Sequence, residues 1–152
     1  RVLFRSWEAK EELRQMARFE TWDLRQNAAA KGPFDIVFCR NVLIYFDGPT
    51  RARVVDLLSR QLKPGGRLYV FEHNPRNPLV RYVIARTPID ENAILLDPNE
   101  VRDNLPVVLR QGLDTQYLMF MPPRLSLLRI VDRLLTWLPL GAQYAVTASK
   151  AA

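Results

Sequence analysis

At 152 residues, with 48% hydrophobic residues and a mean hydropathy of −0.14, the chain is long enough for one soluble globular domain with a real core. No apolar run reaches the ~18 residues that would span a bilayer, and the single cysteine, Cys39, excludes an internal disulfide and fits a reducing cytoplasm. The net charge of +6 is carried largely by arginines dispersed among leucine and alanine, a pattern that needs no nucleic acid partner, and none is expected.

In chain order, Arg1-Val-Leu-Phe-Arg-Ser6 is the hexapeptide that the codons CGT GTG CTC TTC CGA TCT encode, and that string resembles the end of a short-read sequencing adapter. Residues 1–6 are therefore expected to be an artefact, and residues 7–152 the carboxyl-terminal part of one longer domain. Trp7 to Met16 reads as a charged helical stretch, and Ala17 to Leu24 as a short strand leading into an acidic turn at Asp23. After the Gly32-Pro33 break, Phe34, Ile36, Val37 and Phe38 form an apolar run that suits a strand buried on both faces of a parallel sheet.

Pro49 starts a helix in which Val54, Val55, Leu57, Leu58 and Leu62 recur near the helical period, with Arg51, Arg53, Asp56 and Arg60 between them. Lys63-Pro64-Gly65-Gly66 ends it, and Leu68 to Phe71 is a second apolar strand, completing a βαβ unit. Pro98 opens a further helix, broken near Pro106 and ended by Gly112; Asp114 to Met121 follows as a strand. Arg124 to Leu138 places Leu127, Leu128, Val131, Leu134, Leu135 and Leu138 on one helical face, which suits a core helix or a peripheral contact with a membrane surface. Gln143 to Ala148 is the final strand.

The run Phe34-Asp-Ile-Val-Phe-Cys-Arg-Asn-Val-Leu-Ile-Tyr-Phe46, followed by Leu62-Lys-Pro-Gly-Gly-Arg-Leu-Tyr-Val-Phe71, resembles the fourth and fifth strands of class I S-adenosylmethionine (SAM) dependent methyltransferases. The resemblance implies an α/β, Rossmann-like sheet from a fold of order 3-2-1-4-5-7-6, here incomplete (strands 3 to 7) and closed by an antiparallel last hairpin. It also implies SAM as cofactor and ligand sites at the carboxyl ends of the strands. The glycine-rich turn and acidic second strand of that family have no counterpart before Phe34, where Gly32 is the only glycine.

On this resemblance Asp23, Leu24, Cys39, Arg40 and Asn41 are the expected cofactor-binding residues, Glu72 and Asn74 the substrate-binding ones, and His73 and Tyr45 the catalytic ones; no metal is expected. His73 is the only histidine, and its ordinary pKa suits a base near neutrality. The alternative is that Glu72, His73 and Asn74 hold the turn built by Pro75 and Pro78, and that Tyr45 packs beside Leu43 and Phe46. Cys39 reads as a small core residue rather than a nucleophile.

Two kinds of methyltransferase compete. Glu12 to Leu24 together with Phe38 to Asp47 looks like the chemotaxis receptor glutamate methyltransferases, with Asp23 where those carry asparagine. Phe71-Glu-His-Asn-Pro-Arg-Asn-Pro78 and the terminal Leu-Pro-Leu-Gly-Ala-Gln-Tyr144 are similar to bacterial enzymes acting on small molecules or lipid-linked substrates. The second reading, methyl transfer to a small-molecule or lipid-linked acceptor, is preferred here. Glutamate O-methylation and a non-catalytic half-domain that serves as an interaction module are the alternatives. With partner strands missing, the Phe34 edge is expected to drive dimerisation or aggregation.

Overall fold

The structure is a computed structural model and describes residues 10–25, 31–120 and 134–151. Its described elements are α1 (Glu11–Gln15), β1 (Phe34–Arg40), α2 (Gly48–Arg60), β2 (Leu62–His73), α3 (Pro78–Ile84), α4 (Pro98–Asp103), β3 (Gln111–Leu118) and β4 (Gln143–Ser149), with short 3-10 turns at Leu43–Tyr45, Pro88–Asp90 and Val107–Leu109. The strands form one sheet in the order β1-β2-β4-β3. β1 and β2 are parallel, while β4 runs antiparallel to both β2 and β3. In the strand numbering of the family that the sequence resembles, this order corresponds to 4-5-7-6, with the antiparallel hairpin at the end.

Local chemistry accounts for the βαβ unit. The Asp47 carboxylate caps α2 by accepting from Thr50 N at 2.9 Å, and Pro49 lies in the first turn, where its missing N–H has no intrahelical partner to lose. The helix buries Val54, Val55 and Leu58 on the sheet. It ends at Arg60, so Leu62 belongs to β2 and not to the helix as its spacing suggests. Lys63 to Gly66 then bulge out of β2, because Phe34 pairs with Leu62 while Ile36 pairs with Arg67. Gly65 takes φ +74, and a Cβ on Gly66 would come within 3.1 Å of Phe34 O and 2.9 Å of Lys63 O, so both glycines are needed for the bulge.

The core lies on one face of the sheet. Leu68 and Val70 of β2, Tyr144, Val146 and Ala148 of β4 and Cys39 of β1 pack there against Val54, Val55, Leu96, Val101, Leu105 and Leu109. The opposite face carries Phe34, Ile36 and Phe38, the last 67% exposed, with Phe38 stacked on Tyr69 at 5.2 Å and Phe71 at 6.1 Å. β1 is thus covered on one face by the described residues, rather than on both as its unbroken apolar run suggests.

Three further expectations are corrected. Residues 17–23 form no strand: a strand exists only with a hydrogen-bonded partner, and no described strand lies beyond β1. The helix begun at Pro98 stops at Asp103, and Gly112 lies inside β3 at φ +58, where the β3–β4 register shifts, instead of ending a helix. β3 accordingly runs Gln111–Leu118, earlier than the expected 114–121. The expected helix over 124–138 falls largely outside the described residues, as does the hexapeptide 1–6. Among the described residues no helix is long and apolar enough to cross a membrane.

Candidate active site at the carboxyl ends of the parallel strands

β1 and β2 end side by side, with Cys39 opposite Val70 and Arg40 opposite Phe71. Asn41 turns the chain away from the sheet at φ +51, a left-handed conformation that asparagine tolerates better than most side chains, while its N–H still donates to Phe71 O at 2.9 Å. Its Oδ1 is buried with no hydrogen-bond partner among the described residues. An orphaned acceptor of this kind at a strand's carboxyl end suits a ligand bearing N–H or O–H donors.

Side-chain alternation along β2 assigns the next residues. Glu72 follows Leu68 and Val70 on the buried face and is fully buried; its Oε1 accepts from Val42 N at 3.2 Å and Leu43 N at 3.0 Å. It thereby anchors the loop that carries Asn41 and Tyr45. Burial pushes its carboxyl up to about 7, with the two backbone donors and the Arg51 charge opposing that rise. Asn74 is also fully buried: its Nδ2 donates to Pro139 O at 3.1 Å and Gly141 O at 2.8 Å, and its Oδ1 accepts from Arg76 N at 3.0 Å. These two residues hold the site's walls from inside.

His73 points to the other face and is half-buried. Desolvation lowers its pKa below the ordinary value; Asp90 acts against that shift and Arg40 adds to it. Tyr45 is 46% exposed and its hydroxyl donates to Asp90 Oδ1 at 2.6 Å, an interaction that raises the phenol pKa and keeps it protonated. Arg40 Nη2 donates to Gln143 Oε1 at 3.4 Å, and Gln143 is the register partner of His73. Arg40, Tyr45, His73, Asp90 and Gln143 therefore share one rim. Asp90 and Gln143 are not among the expected site residues, although Gln143 lies in the terminal Leu-Pro-Leu-Gly-Ala-Gln-Tyr144 stretch that carries part of the resemblance.

Asp23 is turned inward on its own loop, its carboxylate accepting from Arg25 N at 3.0 Å and Nε at 3.1 Å, while Leu24 packs partly buried against the core. Cys39 is 4% exposed, and burial, reinforced by the Glu72 charge, pushes its thiol up to about 12. It should stay unmodified by iodoacetamide in the native state and react once urea unfolds the chain; rapid native labelling, read by intact mass, would show that the β1 end is open to solvent. No cluster of metal-ligating side chains occurs among the described residues.

Residues 4–74 match the family described as "CheR methyltransferase, SAM binding domain". The chain is similar to the "Probable biofilm formation methyltransferase WspC" of Pseudomonas aeruginosa, 41% identical over 66 residues, which are 42% of this chain and 16% of that protein. It is likewise similar to the "Chemotaxis protein methyltransferase Cher2" of Pseudomonas putida, 41% identical over 64 residues, 42% of this chain and 23% of the relative. The matched segments thus span about a fifth of the length of these curated relatives.

Among solved structures, an O-methyltransferase family protein from Burkholderia thailandensis superposes with a TM-score of 0.60 at 15% identity, covering 93% of this chain and 38% of that one. A SAM-dependent methyltransferase from Archaeoglobus fulgidus gives 0.57 at 13% identity, covering 80% and 62%. The fold is that of class I SAM-dependent methyltransferases, and the first half of the chain is related to the SAM-binding domain of the chemotaxis type. That kinship favours the chemotaxis-type alternative over the small-molecule or lipid-linked acceptor preferred from the sequence.

Proposed function

We propose that this chain is the acceptor-side part of a SAM-dependent methyltransferase that esterifies a carboxylate on a protein, and that activity needs a glycine-rich turn supplied from outside these residues. The observation that carries the reading is the placement of the Phe38 to Phe46 run, inside the matched segment 4–74, at the carboxyl end of β1 beside the end of β2. Asn41 Oδ1 and the backbone from Cys39 to Asn41 would hold the cofactor, whose ammonium, ribose hydroxyls and adenine amine are the donors that an orphaned oxygen lacks. SAM supplies a methyl group on a sulfonium that leaves as a neutral thioether. Leu24, from its partly buried position, is the better candidate of the Asp23–Leu24 pair for the adenine side, since Arg25 occupies the Asp23 carboxylate.

Methyl transfer to a carboxylate is an in-line displacement by an oxygen that is already deprotonated, so the protein has to position the acceptor and exclude water rather than remove a proton. The Arg40 guanidinium supplies positive charge at the rim, and Tyr45, fixed by Asp90, forms its outer wall. His73 contributes as a neutral, half-buried neighbour.

His73→Ala in the full-length enzyme should then lower turnover by less than about tenfold with little change in SAM affinity, whereas a general base would cost ~100-fold or more. A ~100-fold loss with a pH profile that loses its lower limb would restore the base and with it an acceptor that must be deprotonated. The acceptor class is tested by incubating the full-length enzyme with tritiated-methyl SAM and a bacterial extract. Label in protein supports the proposal, and label confined to small molecules or extractable lipid returns the other reading.

A further inference from the structure

Helix α3 has two apolar sides, and only one is used. Asn77 caps it by accepting from Leu79 N and Val80 N, and Val80 and Ile84 pack inward. On its outer side Leu79, Tyr82 and Val83 are 66%, 57% and 51% exposed, a stripe at helical spacing that continues into Arg86. The Arg86 guanidinium lies 3.9 Å over the Tyr82 ring, a cation–π contact that holds it beside the stripe. Between α3 and the Pro88–Asp90 turn runs a groove of about 790 Å³ lined by Arg81, Tyr82, Arg86, Asp90 and Leu95 among others, and its Asp90 end is the residue that holds the Tyr45 hydroxyl. Neither Arg81 nor Arg86 forms a salt bridge among the described residues.

We propose that this groove receives an acidic, amphipathic segment of the acceptor protein, its carboxylates on Arg81 and Arg86 and its apolar side chains on Tyr82 and the exposed α3 stripe. The inference rests on the protein-carboxylate reading above and names the surface that delivers such an acceptor to the rim. Two unpaired guanidiniums, one held against an aromatic face, are the donors that match carboxylates. The exposed Leu79, Tyr82 and Val83 extend the apolar surface past the groove along the helix, which favours a peptide chain over a compact metabolite. Asp90 and Glu91 also line the groove and repel acidic side chains, so the segment's carboxylates lie on Arg81 and Arg86 of the α3 side. The groove also lies outside the matched residues 4–74.

The test is fluorescence anisotropy of a labelled peptide alternating glutamate with leucine, measured on the full-length enzyme without cofactor. Arg81→Glu/Arg86→Glu should weaken binding at least about tenfold, as expected for losing two charge-assisted contacts, and Arg53→Glu/Arg102→Glu, which changes net charge equally elsewhere, by about twofold or less. Circular dichroism confirms that both pairs fold. Equal losses in the two variants would mean attraction by the chain's net positive charge alone, and no binding by the parent would remove the site; either result overturns the proposal. Because the readout is binding, a groove that binds the peptide in an enzyme that never esterifies protein would sink the functional reading and leave the groove standing.

Discussion

The unfolding free energy of this chain should fall by on the order of 3 kcal/mol as pH rises from about 4.5 to somewhat above 7, and Glu72→Gln should remove most of that fall. The sign follows from proton counting. Folded Glu72 keeps its proton up to about 7 while the unfolded chain releases it near 4.5, so between those values the native state binds more protons and loses stability as pH rises. At ~1.4 kcal/mol per pH unit the gap amounts to the figure given. His73, with its lowered pKa, works the opposite way, so the informative quantity is the difference between parent and variant.

Glutamine keeps an oxygen for the N–H groups of Val42 and Leu43, whereas Glu72→Ala strands both buried donors at ~1–3 kcal/mol each. Urea titrations across this pH range decide the matter. An unchanged pH slope in Glu72→Gln would show that the carboxylate is not buried as described.

Asn74→Ala should cost about 3 kcal/mol and lower the melting midpoint by roughly 10 °C. One buried amide satisfies Pro139 O, Gly141 O and Arg76 N, and so joins the end of β2 to the approach of β4 and to the turn before α3. Alanine removes all three bonds and leaves two carbonyls facing apolar surroundings. Asn74→Asp should be no better, because a carboxylate would meet the same two carbonyl oxygens. Calorimetry checks the shift; a change of a degree or two would mean that water replaces the amide.

The βαβ unit was legible because its cues are local: an apolar run, an aspartate and a proline at the start of α2, and glycines where the backbone bulges. The order of the four strands followed from the family resemblance. What was missed depends on direction or distance. The resemblance makes Glu72 and Asn74 substrate-binding and His73 catalytic by their place after β2 alone, yet strand alternation from Leu68 and Val70 already sends Glu72 into the core and His73 to the other face. Asp90 and Gln143 reach Tyr45 and Arg40 from 45 and 103 residues away, a separation that no local pattern encodes. The 17–24 segment shows the limit from the other side, since its apolar residues have strand propensity but no described partner.

The most direct measurement is the chemistry of the product bond. Full-length enzyme is incubated with tritiated-methyl SAM and its protein acceptor, and the labelled protein is then exposed to mild alkali. A carboxyl ester releases the label as volatile methanol, and Arg81→Glu/Arg86→Glu should reduce that release by raising the acceptor KM with kcat largely kept. Label that stays on the protein through alkali, as an N-methyl or ether would, contradicts the account.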